Sequence, residues 1–369
     1  MLPDDGLSAL LKGIDGARTS IDIMIFRFDL TEVEGALGRA VSRGVAVRAL
    51  VAYANKAGED GLRQLELRLL AVGVSVARTA DDLVRYHGKL MIVDRHDLYL
   101  FAFNFTALDT ERSRSFGIVT SNRTLVQETI KLFEADTKRL PYAPNSRTLV
   151  VSPVNARKQL AAFIRGAKSE ILIYDPAVTD PAMIRLLEER SKAGVSVRII
   201  GRLARRSSKL EVQKLPQLRL HTRTMVRDRR HAFVGSQSLR PAELDSRREV
   251  GAIFCDRKAV ARLTKVFEDD WQATGKPKEQ EHSDAKAPAE KVARKLAKAV
   301  VKELPPMAPA LEEIIKEMGG DKAQLDLVSG EVEASVKDAV KLAVKEAVRE
   351  AVENAAEDKA EAETESDAA

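Results

Sequence analysis

Short apolar runs alternate with helical stretches through the first 275 residues. The runs IDIMIF and VAVRALV flank a helical stretch at 30–44, and ILIY and VSVRII flank another at 181–194. Apolar runs of this length predict buried strands, and strands that alternate with helices are typical of α/β folds. Strands that are apolar along their whole length favour a mainly parallel sheet covered by helices on both faces.

The same pattern occurs twice. Identical residues recur at an offset of 150 without a gap: Ile14/Ile164, Gly16/Gly166, Ile21/Ile171, Leu37/Leu187, Gly44/Gly194, Val45/Val195 and Arg48/Arg198. Further along, they recur at an offset of 134: His87/His221, Asp94/Asp228, Gly117/Gly251, Phe133/Phe267 and Asp136/Asp270. The second copy therefore lacks 16 residues between these blocks. Such repetition predicts two similar units. Packing about a pseudo-twofold axis would bring their equivalent residues together at one shared site.

The composition changes at about Lys276. From there the chain is rich in Ala, Glu and Lys, and valines recur every four residues from Val332 to Val352. That spacing winds around a helix instead of holding one face. We therefore predict a first repeat over 1–145, a second repeat over 146–275 and a helical or partly disordered tail over 276–369. Docking of a partner or self-association is the alternative role for this tail.

Composition limits where the protein can act. The chain has 369 residues and one cysteine, Cys255, so no intramolecular disulfide can form. The longest run without a charged residue, Leu98 to Leu108, spans about 11 residues, whereas roughly 20 are needed to cross a bilayer. The N-terminus lacks the basic region and apolar stretch of a secretory signal. We expect a cytoplasmic protein that could contact a membrane only peripherally.

Charge is distributed unevenly along the chain. Residues 1–275 carry about +12 and residues 276–369 about −7, which gives the formal net charge of +5. A basic globular part concentrates anions near its surface, which favours phosphate-bearing partners such as lipid head groups or nucleic acid. Solubility alone explains the charge equally well.

Each repeat carries a histidine two residues before a cation. In the first copy, YHGKLMIVD contains His87, Lys89 and Asp94, and Asn104 follows ten residues later. In the second copy, LHTRTMVRD contains His221, Arg223 and Asp228. It is followed by Gly235, Ser236, Ser238 and Glu249. Positions i and i+2 of a strand point to the same face. Each copy is therefore expected to present one imidazole beside one cation.

Two such pairs suit the cleavage of a phosphodiester. One imidazole can attack phosphorus and form a covalent phosphohistidine, which divides one difficult step into two easier ones. A second imidazole can protonate the departing alcohol and then activate the incoming water or alcohol. Lys89, Arg223 and Asn104 can bind the non-bridging oxygens through charge-assisted hydrogen bonds. The sequence has no cluster with metal-ligand spacing, and we expect neither a metal nor an organic cofactor.

The duplicated HxKxxxxD pattern over residues 7–273 resembles the phospholipase D superfamily, whose mark is this motif followed by a GSxN-like segment in each copy. The resemblance implies that the histidines of the two repeats meet at their interface and act without a metal. It implies His87 as nucleophile and His221 as general acid and base, with Lys89 and Asn104 as phosphate ligands. It also implies that the motif aspartates, Asp94 and Asp228, are structural supports.

The segments after the motifs depart from the family pattern in complementary ways. Phe101 and Ala102 replace Gly-Ser in the first copy, whereas the second copy keeps Gly235 and Ser236 but has Ser238 in place of asparagine. We assign phosphate binding in this copy to Ser236 and Ser238.

The acid that orients a histidine in the family corresponds to Glu249 in the second copy but to Ser115 in the first. Glu249 is therefore expected to be a supporting residue. Glu111 is a candidate replacement for the missing acid, although a solvated loop position is the better expectation for it. Arg223 replaces the motif lysine and keeps its charge, but its guanidinium is bulkier and planar.

The sequence therefore predicts a phosphodiesterase or phosphatidyltransferase similar to bacterial phospholipase D and cardiolipin synthase-like proteins. Phospholipid is narrowly favoured as the substrate, and access to it would need peripheral membrane binding. A metal-independent nuclease of the same superfamily is the alternative enzyme. A degenerate member that binds anionic lipid or nucleic acid without turnover is a further alternative, which Arg223, Phe101 and Ser238 motivate.

Overall fold

The structure is a computed structural model and describes residues 1–25, 28, 30–53, 59–204 and 207–274. These residues form two similar α/β halves within one unit. The predicted tail, 276–369, lies outside the described residues. No helix in the part of the chain that the structure describes is long and apolar enough to cross a membrane.

The first half alternates strands with helices and then adds antiparallel strands. Its elements are α1 (Ser8–Gly16), β1 (Ser20–Ile25), α2 (Thr31–Ser42), β2 (Ala46–Val51), α3 (Glu59–Ala71), β3 (Ser75–Arg78), β4 (Arg85–Tyr86), β5 (Leu90–Val93), β6 (Asp97–Phe101), α4 (Ala107–Glu111), β7 (Ser113–Arg114), β8 (Gly117–Thr120) and α5 (Arg123–Thr137). The sheet order is β3-β2-β1-β5-β6-β8. β1, β2 and β3 are parallel to one another, and the remaining pairings are antiparallel.

The second half repeats this plan. Its elements are β9 (Leu149–Val151), α6 (Ala156–Arg165), β10 (Glu170–Val178), α7 (Pro181–Lys192), β11 (Ser196–Leu203), β12 (Glu211–Gln213), β13 (Arg219–Leu220), β14 (Arg223–Arg227), β15 (His231–Gly235), α8 (Pro241–Asp245), β16 (Arg247–Arg248), β17 (Val250–Phe254) and α9 (Arg257–Thr274). The sheet order is β12-β11-β10-β14-β15-β17-β9. The prediction of two α/β repeats is confirmed, and within the two large sheets the parallel pairings join β1, β2 and β3 in the first half and β10, β11 and β12 in the second. The boundaries at 145 and 275 stay predictions.

The cores explain why the strands are apolar on both faces. One face of the first sheet packs against α1, α2 and α3 through residues such as Ile21 and Val47. The other face packs against α5 and against β9 and β17 of the second half, where Leu90, Val151 and Val250 belong to one cluster. The halves therefore share a core and bury each other's inner surface.

The motif aspartates form the turns of two equivalent hairpins. Asp94 and Asp228 have φ values of 51° and 52°, and the residue after each is also left-handed, as a type I′ turn requires. The Asp94 carboxylate accepts hydrogen bonds from the N–H groups of residues 18–20 at 2.7–3.1 Å. Asp228 accepts equivalent bonds from residues 168–170 at 2.8–3.1 Å. Both side chains therefore hold the loop that leads into β1 or β10.

Two equivalent ion pairs cross between the halves. Arg248 Nη2 lies 3.0 Å from Asp136 Oδ1, and Arg114 Nε lies 2.9 Å from Asp270 Oδ2. Each arginine and each aspartate corresponds to its counterpart at the 134-residue offset. Burial raises the pKa of Asp136 to about 6, against the opposing effect of Arg248. The pairs therefore connect Arg248 of the second half to α5 of the first half, and Arg114 of the first half to α9 of the second half.

Candidate active site

Two short strand pairings join the halves at the motifs. β4 pairs in parallel with β16, and β13 pairs in parallel with β7. Each motif histidine directly follows one of these pairings: the His87 N–H donates to the Arg248 carbonyl oxygen at 2.8 Å, and the His221 N–H donates to the Arg114 carbonyl oxygen at 3.2 Å. The backbone of each half therefore anchors the histidine of the other.

Each imidazole also faces a carboxylate of the opposite half. His87 Nδ1 lies 2.9 and 3.1 Å from the two carboxylate oxygens of Glu249. His221 Nδ1 lies 3.2 Å from Asp109 Oδ1, an ion-pair distance whose angle is poorer than that of a hydrogen bond. All four side chains are buried. A carboxylate beside Nδ1 favours the tautomer that carries its proton there, which leaves Nε2 to act on a substrate.

Asp109 is a residue of this site that the sequence pattern did not single out. It lies at the position equivalent to Glu243, whereas the position equivalent to Glu249 is Ser115. Among the described residues the buried Ser115 hydroxyl has no hydrogen-bond partner. Glu111 is exposed at the end of α4. A capping pattern could have drawn attention to Asp109, because the Thr106 hydroxyl accepts its N–H at 3.3 Å and places it in the first turn of α4.

Asp109 is held in place by several donors. It accepts the N–H of Asn104 at 2.8 Å and the side-chain amide of Asn104 at 2.9 Å. Arg219 also donates to it. Burial alone would raise the pKa of Asp109, but His221, Asn104 and Arg219 together hold it well below its usual range. Asp109 is therefore an ionised carboxylate beside the second imidazole.

Lys89 and Arg223 make equivalent backbone contacts. Lys89 Nζ donates to the carbonyl oxygen of His87 at 2.8 Å, and Arg223 Nη1 donates to that of His221 at 2.7 Å. The sequence predicts His87 and Lys89 on one strand, but β5 begins at Leu90, one residue after Lys89. Both motif cations therefore fold back onto the backbone of their own histidine. Arg223 is the first residue of β14, whereas Lys89 precedes β5.

Ser236 and Ser238 follow β15 and are fully buried. The Ser236 hydroxyl accepts the Val250 N–H at 3.1 Å, and the Ser238 hydroxyl accepts Arg223 Nε at 3.2 Å. The Ser238 N–H donates to Glu243 at 2.7 Å, the counterpart of the bond between Asn104 and Asp109. The Ser236 O–H also donates to the Val250 carbonyl oxygen at 3.3 Å, so a phosphate would have to replace this bond. The Ser238 hydroxyl accepts from Arg223, and its own O–H can still donate to a phosphate.

Burial sets the electrostatics of the site. It lowers the pKa of His87 well below the ordinary value and that of His221 to about 4. It lowers the pKa of Lys89 to about 7, although Glu249 opposes this change, and it raises the pKa of Glu249. Both imidazoles are therefore neutral at neutral pH. Among the described residues no group of three His, Cys, Asp or Glu side chains is placed to hold a metal ion.

Known proteins share both the sequence pattern and the fold. Mitochondrial cardiolipin hydrolase of Danio rerio is 31% identical over 136 residues, which are 35% of this chain and 57% of that protein. Polyphosphate kinase 1 of Chlorobaculum tepidum is 26% identical over 221 residues, which are 54% of this chain and 31% of that protein. The chain thus spans about half or less of these two relatives.

A solved structure shows the same fold over both halves. Phosphatidylserine synthase of Haemophilus influenzae matches with a TM-score of 0.58 and 10% identity, covering 79% of this chain and 90% of that one. A family model described as "Cardiolipin synthase, PLD-like domain" matches residues 10–137 and 160–271, once in each half. Because these matches cover well over half of the chain, the protein belongs to this family of the phospholipase D superfamily.

Proposed function

We propose that the protein cleaves or exchanges a phospholipid phosphodiester through a phosphohistidine intermediate. The observation that carries the proposal is the pair of buried imidazoles, each beside a carboxylate of the opposite half. Membership of the superfamily supports a phosphodiester as the reacting group. Lipid is favoured because the family model and the Danio rerio relative are both named for cardiolipin chemistry.

His87 is the proposed nucleophile. Its Nδ1 faces Glu249, so the lone pair on Nε2 can attack phosphorus. A bond between Nε2 and phosphorus forms as the bond to the departing alcohol breaks. The motif cations and Asn104 bind the non-bridging oxygens, whose charge grows in the transition state. One amide hydrogen of Asn104 is engaged by Asp109, and an amide group carries a second one for the phosphate.

His221 is the proposed acid and base. In the first step it gives a proton to the departing alcohol, and in the second it removes one from water or an acceptor alcohol, which attacks phosphorus and releases His87. Its pKa is about 4 in the free site, so it must gain its proton when the anionic substrate arrives. A neighbouring anion favours the imidazolium, and Asp109 stabilises it further.

The proposal is tested by turnover of defined substrates in EDTA. The substrates are vesicles of phosphatidylglycerol or phosphatidylcholine, and single- and double-stranded DNA. We expect head-group release from lipid, its loss in His87→Ala, and a fall of about 10²–10⁴-fold in His221→Ala. His96→Ala is the matched control, because this histidine is exposed beside Asp97.

Each alternative predicts a different result in the same assay. Cleavage of DNA instead of lipid, lost in His87→Ala, would identify the nuclease. Binding of lipid or DNA without any turnover would identify the degenerate binding protein. Lipid cleavage that persists in His87→Ala would rule out the phosphohistidine mechanism.

A further inference from the structure

We propose that Arg85 and Arg247 form a second phosphate-binding subsite beside His87, which takes a second phosphate carried by the lipid head group. The inference rests on the proposed function and deepens it, because it assigns where the part of the substrate beyond the scissile phosphate lies. Both arginines are outside the two HxKxxxxD motifs.

The two arginines are brought together by the pairing of the halves. Arg85 and Arg247 are direct partners in the parallel register of β4 and β16. Arg85 lies two residues before His87, and Arg247 lies two residues before Glu249, the partner of His87. Two residues of extended chain span roughly 6.5 Å. A linker of three carbons between two phosphates can cover such a distance.

Arg247 keeps donor capacity for an anion. Its Nε is buried, and among the described residues no acceptor is bonded to it. Its Nη1 lies 3.5 Å from Glu243 Oε1, longer than a charge-assisted hydrogen bond. The pKa of Arg85 is lowered by burial and next by the charge of Arg247, and an anion between the two guanidinium groups would relieve this repulsion.

The charge of the site fits an anionic substrate. In the described part of the chain, the cations around the motifs are Arg85, Lys89, Arg219, Arg223 and Arg247, and the carboxylates that act on them are Asp109, Asp175, Glu243 and Glu249. Arg85 and Arg247 add two positive charges beside His87 that the motif itself does not carry. A second phosphate would offset this charge through charge-assisted hydrogen bonds.

A cavity beside Arg85 has room for the rest of the head group. It measures about 170 Å³ and is also lined by Asp81, whose exposed carboxylate can accept hydrogen bonds from a hydroxylated linker such as glycerol. Tyr53 and Val84 line the same cavity and are 41% and 76% exposed. Exposed apolar side chains beside a cationic site suit contact with a lipid surface. They favour lipid over nucleic acid as the source of the second phosphate.

The opposite end of the site is built differently. Arg219 corresponds to Arg85, and it donates to Asp109 and to the Ser113 hydroxyl. Ser113 pairs with Arg219 across the halves, so a serine stands where Arg247 stands at the other end. Within the described residues, the paired arginines thus occur on the His87 side of the pseudo-symmetric site. The substrate is therefore oriented with its second phosphate on that side.

Two lipids that differ by one phosphate test the subsite. They are phosphatidylglycerol and the same lipid phosphorylated on its terminal glycerol hydroxyl, both presented in micelles. We expect kcat/KM to be about tenfold or more higher for the phosphorylated lipid, and Arg85→Gln or Arg247→Gln to remove most of that ratio. Arg85→Lys, which keeps the charge, should retain part of it.

Arg123→Gln is the matched control and should keep the full ratio, because this arginine is exposed at the start of α5. Equal kcat/KM values for the two lipids, or a ratio unchanged in both glutamine variants, would overturn the subsite. An arginine-dependent preference for the dinucleotide TpTp over TpT, with none between the lipids, would overturn the assignment to lipid.

A binding measurement separates this inference from the proposed function. Absence of turnover of either lipid would refute the proposed function alone. Calorimetric titration with glycerol 1,3-bisphosphate and with orthophosphate measures binding to the subsite without turnover. We expect the bisphosphate to bind at least about tenfold more tightly than orthophosphate, and Arg85→Gln to remove this difference in affinity. Equal affinities in the wild-type protein would overturn the subsite whatever the turnover.

Discussion

Single residues decide how the two imidazoles are oriented. Glu249 stands where the family resemblance places an acid, and it contacts His87 with both oxygens. Asp109 reaches His221 from a position six residues before the equivalent one, which Ser115 occupies. The second imidazole therefore relies on a carboxylate that also holds Asn104 and Arg219.

Asp109→Asn is expected to lower kcat by about 10²-fold or more, because an amide beside Nδ1 neither stabilises the imidazolium nor fixes the tautomer. The change also turns an amide NH2 toward the donors of Asn104 or Arg219, so the melting temperature should fall and kcat is compared at a temperature at which both proteins are folded. Steady-state kinetics on the preferred substrate measures kcat. Glu111→Gln, an exposed acid on the same helix, should leave kcat unchanged.

A relocated carboxylate supplies the stronger control. Ser115→Glu places an acid at the position equivalent to Glu249, so the double variant Asp109→Asn/Ser115→Glu should recover part of the lost kcat. A purely structural role for Asp109 would not be rescued from that position. Wild-type kcat in Asp109→Asn would contradict the assignment.

The pH dependence is expected to follow Lys89, whose pKa is about 7. Because a lowered pKa means that the proton leaves at lower pH, Lys89 is charged below this value and neutral above it. If it binds phosphate, kcat/KM should fall as pH rises through about 7. Lys89→Arg should move the fall to higher pH, since a guanidinium keeps its proton. A profile that is flat through neutrality in the wild-type protein would exclude this role.

The spacing of the two motifs was sufficient to single out His87 with Lys89 and His221 with Arg223, which lie close along the chain. The resemblance to the family singled out Glu249, although its partner His87 lies 162 residues away. The sequence did not single out Asp109, because its partner His221 is brought to it only by the pairing of β7 with β13. The repeat register pointed to Ser115 instead. Which acid meets which imidazole depends on packing between the halves, which periodicity does not encode.

At the level of elements, the hairpins β5–β6 and β14–β15 carry the motif aspartates. Hydrogen bonds from these aspartates hold the hairpins to the loops before β1 and β10. Asp94→Ala removes the acceptor for the N–H groups of residues 18–20 and should lower the free energy of unfolding by about 1–3 kcal/mol. Asp228→Ala should cost a similar amount, because its contacts are equivalent. Urea denaturation measures both.

Asp81→Ala is the control for these variants, since Asp81 is exposed, and its effect should stay within about 0.5 kcal/mol. An Asp94→Ala midpoint equal to that of the control would show that the turn does not need the carboxylate.

The alternation of strands and helices was readable from the sequence at this scale. The switch to antiparallel pairing at β5 and β14 was not, because an apolar run does not reveal the direction of its neighbour.

Over the whole molecule, the shared core joins the halves into one folding unit. Phe133 lies in the cluster that contains Val151 and Val250, so Phe133→Ala should destabilise both halves by about 3–5 kcal/mol. Trp271 is the single tryptophan and lies in α9, so its fluorescence reports on the second half. The fluorescence and far-UV circular dichroism transitions should coincide and shift together in the variant.

Phe267→Ala, the equivalent change in the second half, is the matched comparison. A Phe133→Ala variant in which the fluorescence transition stayed at its wild-type position would mean that the halves unfold separately.

The repeat predicted two units that face one another. It did not predict that the histidine of each half contacts a carboxylate of the other half, because only the three-dimensional structure brings these residues together. The tail at 276–369 lies outside the described residues, and its part in self-association stays a prediction.

Each histidine receives its backbone and carboxylate contacts from the opposite half of the same chain, and this predicts how activity depends on protein concentration. Both histidines and both of their acids belong to the same chain, so the site is complete in each molecule. Specific activity should therefore stay constant as the protein is diluted. For the same reason, mixing His87→Ala with His221→Ala should not regenerate an active enzyme, because each chain would keep its own defective half.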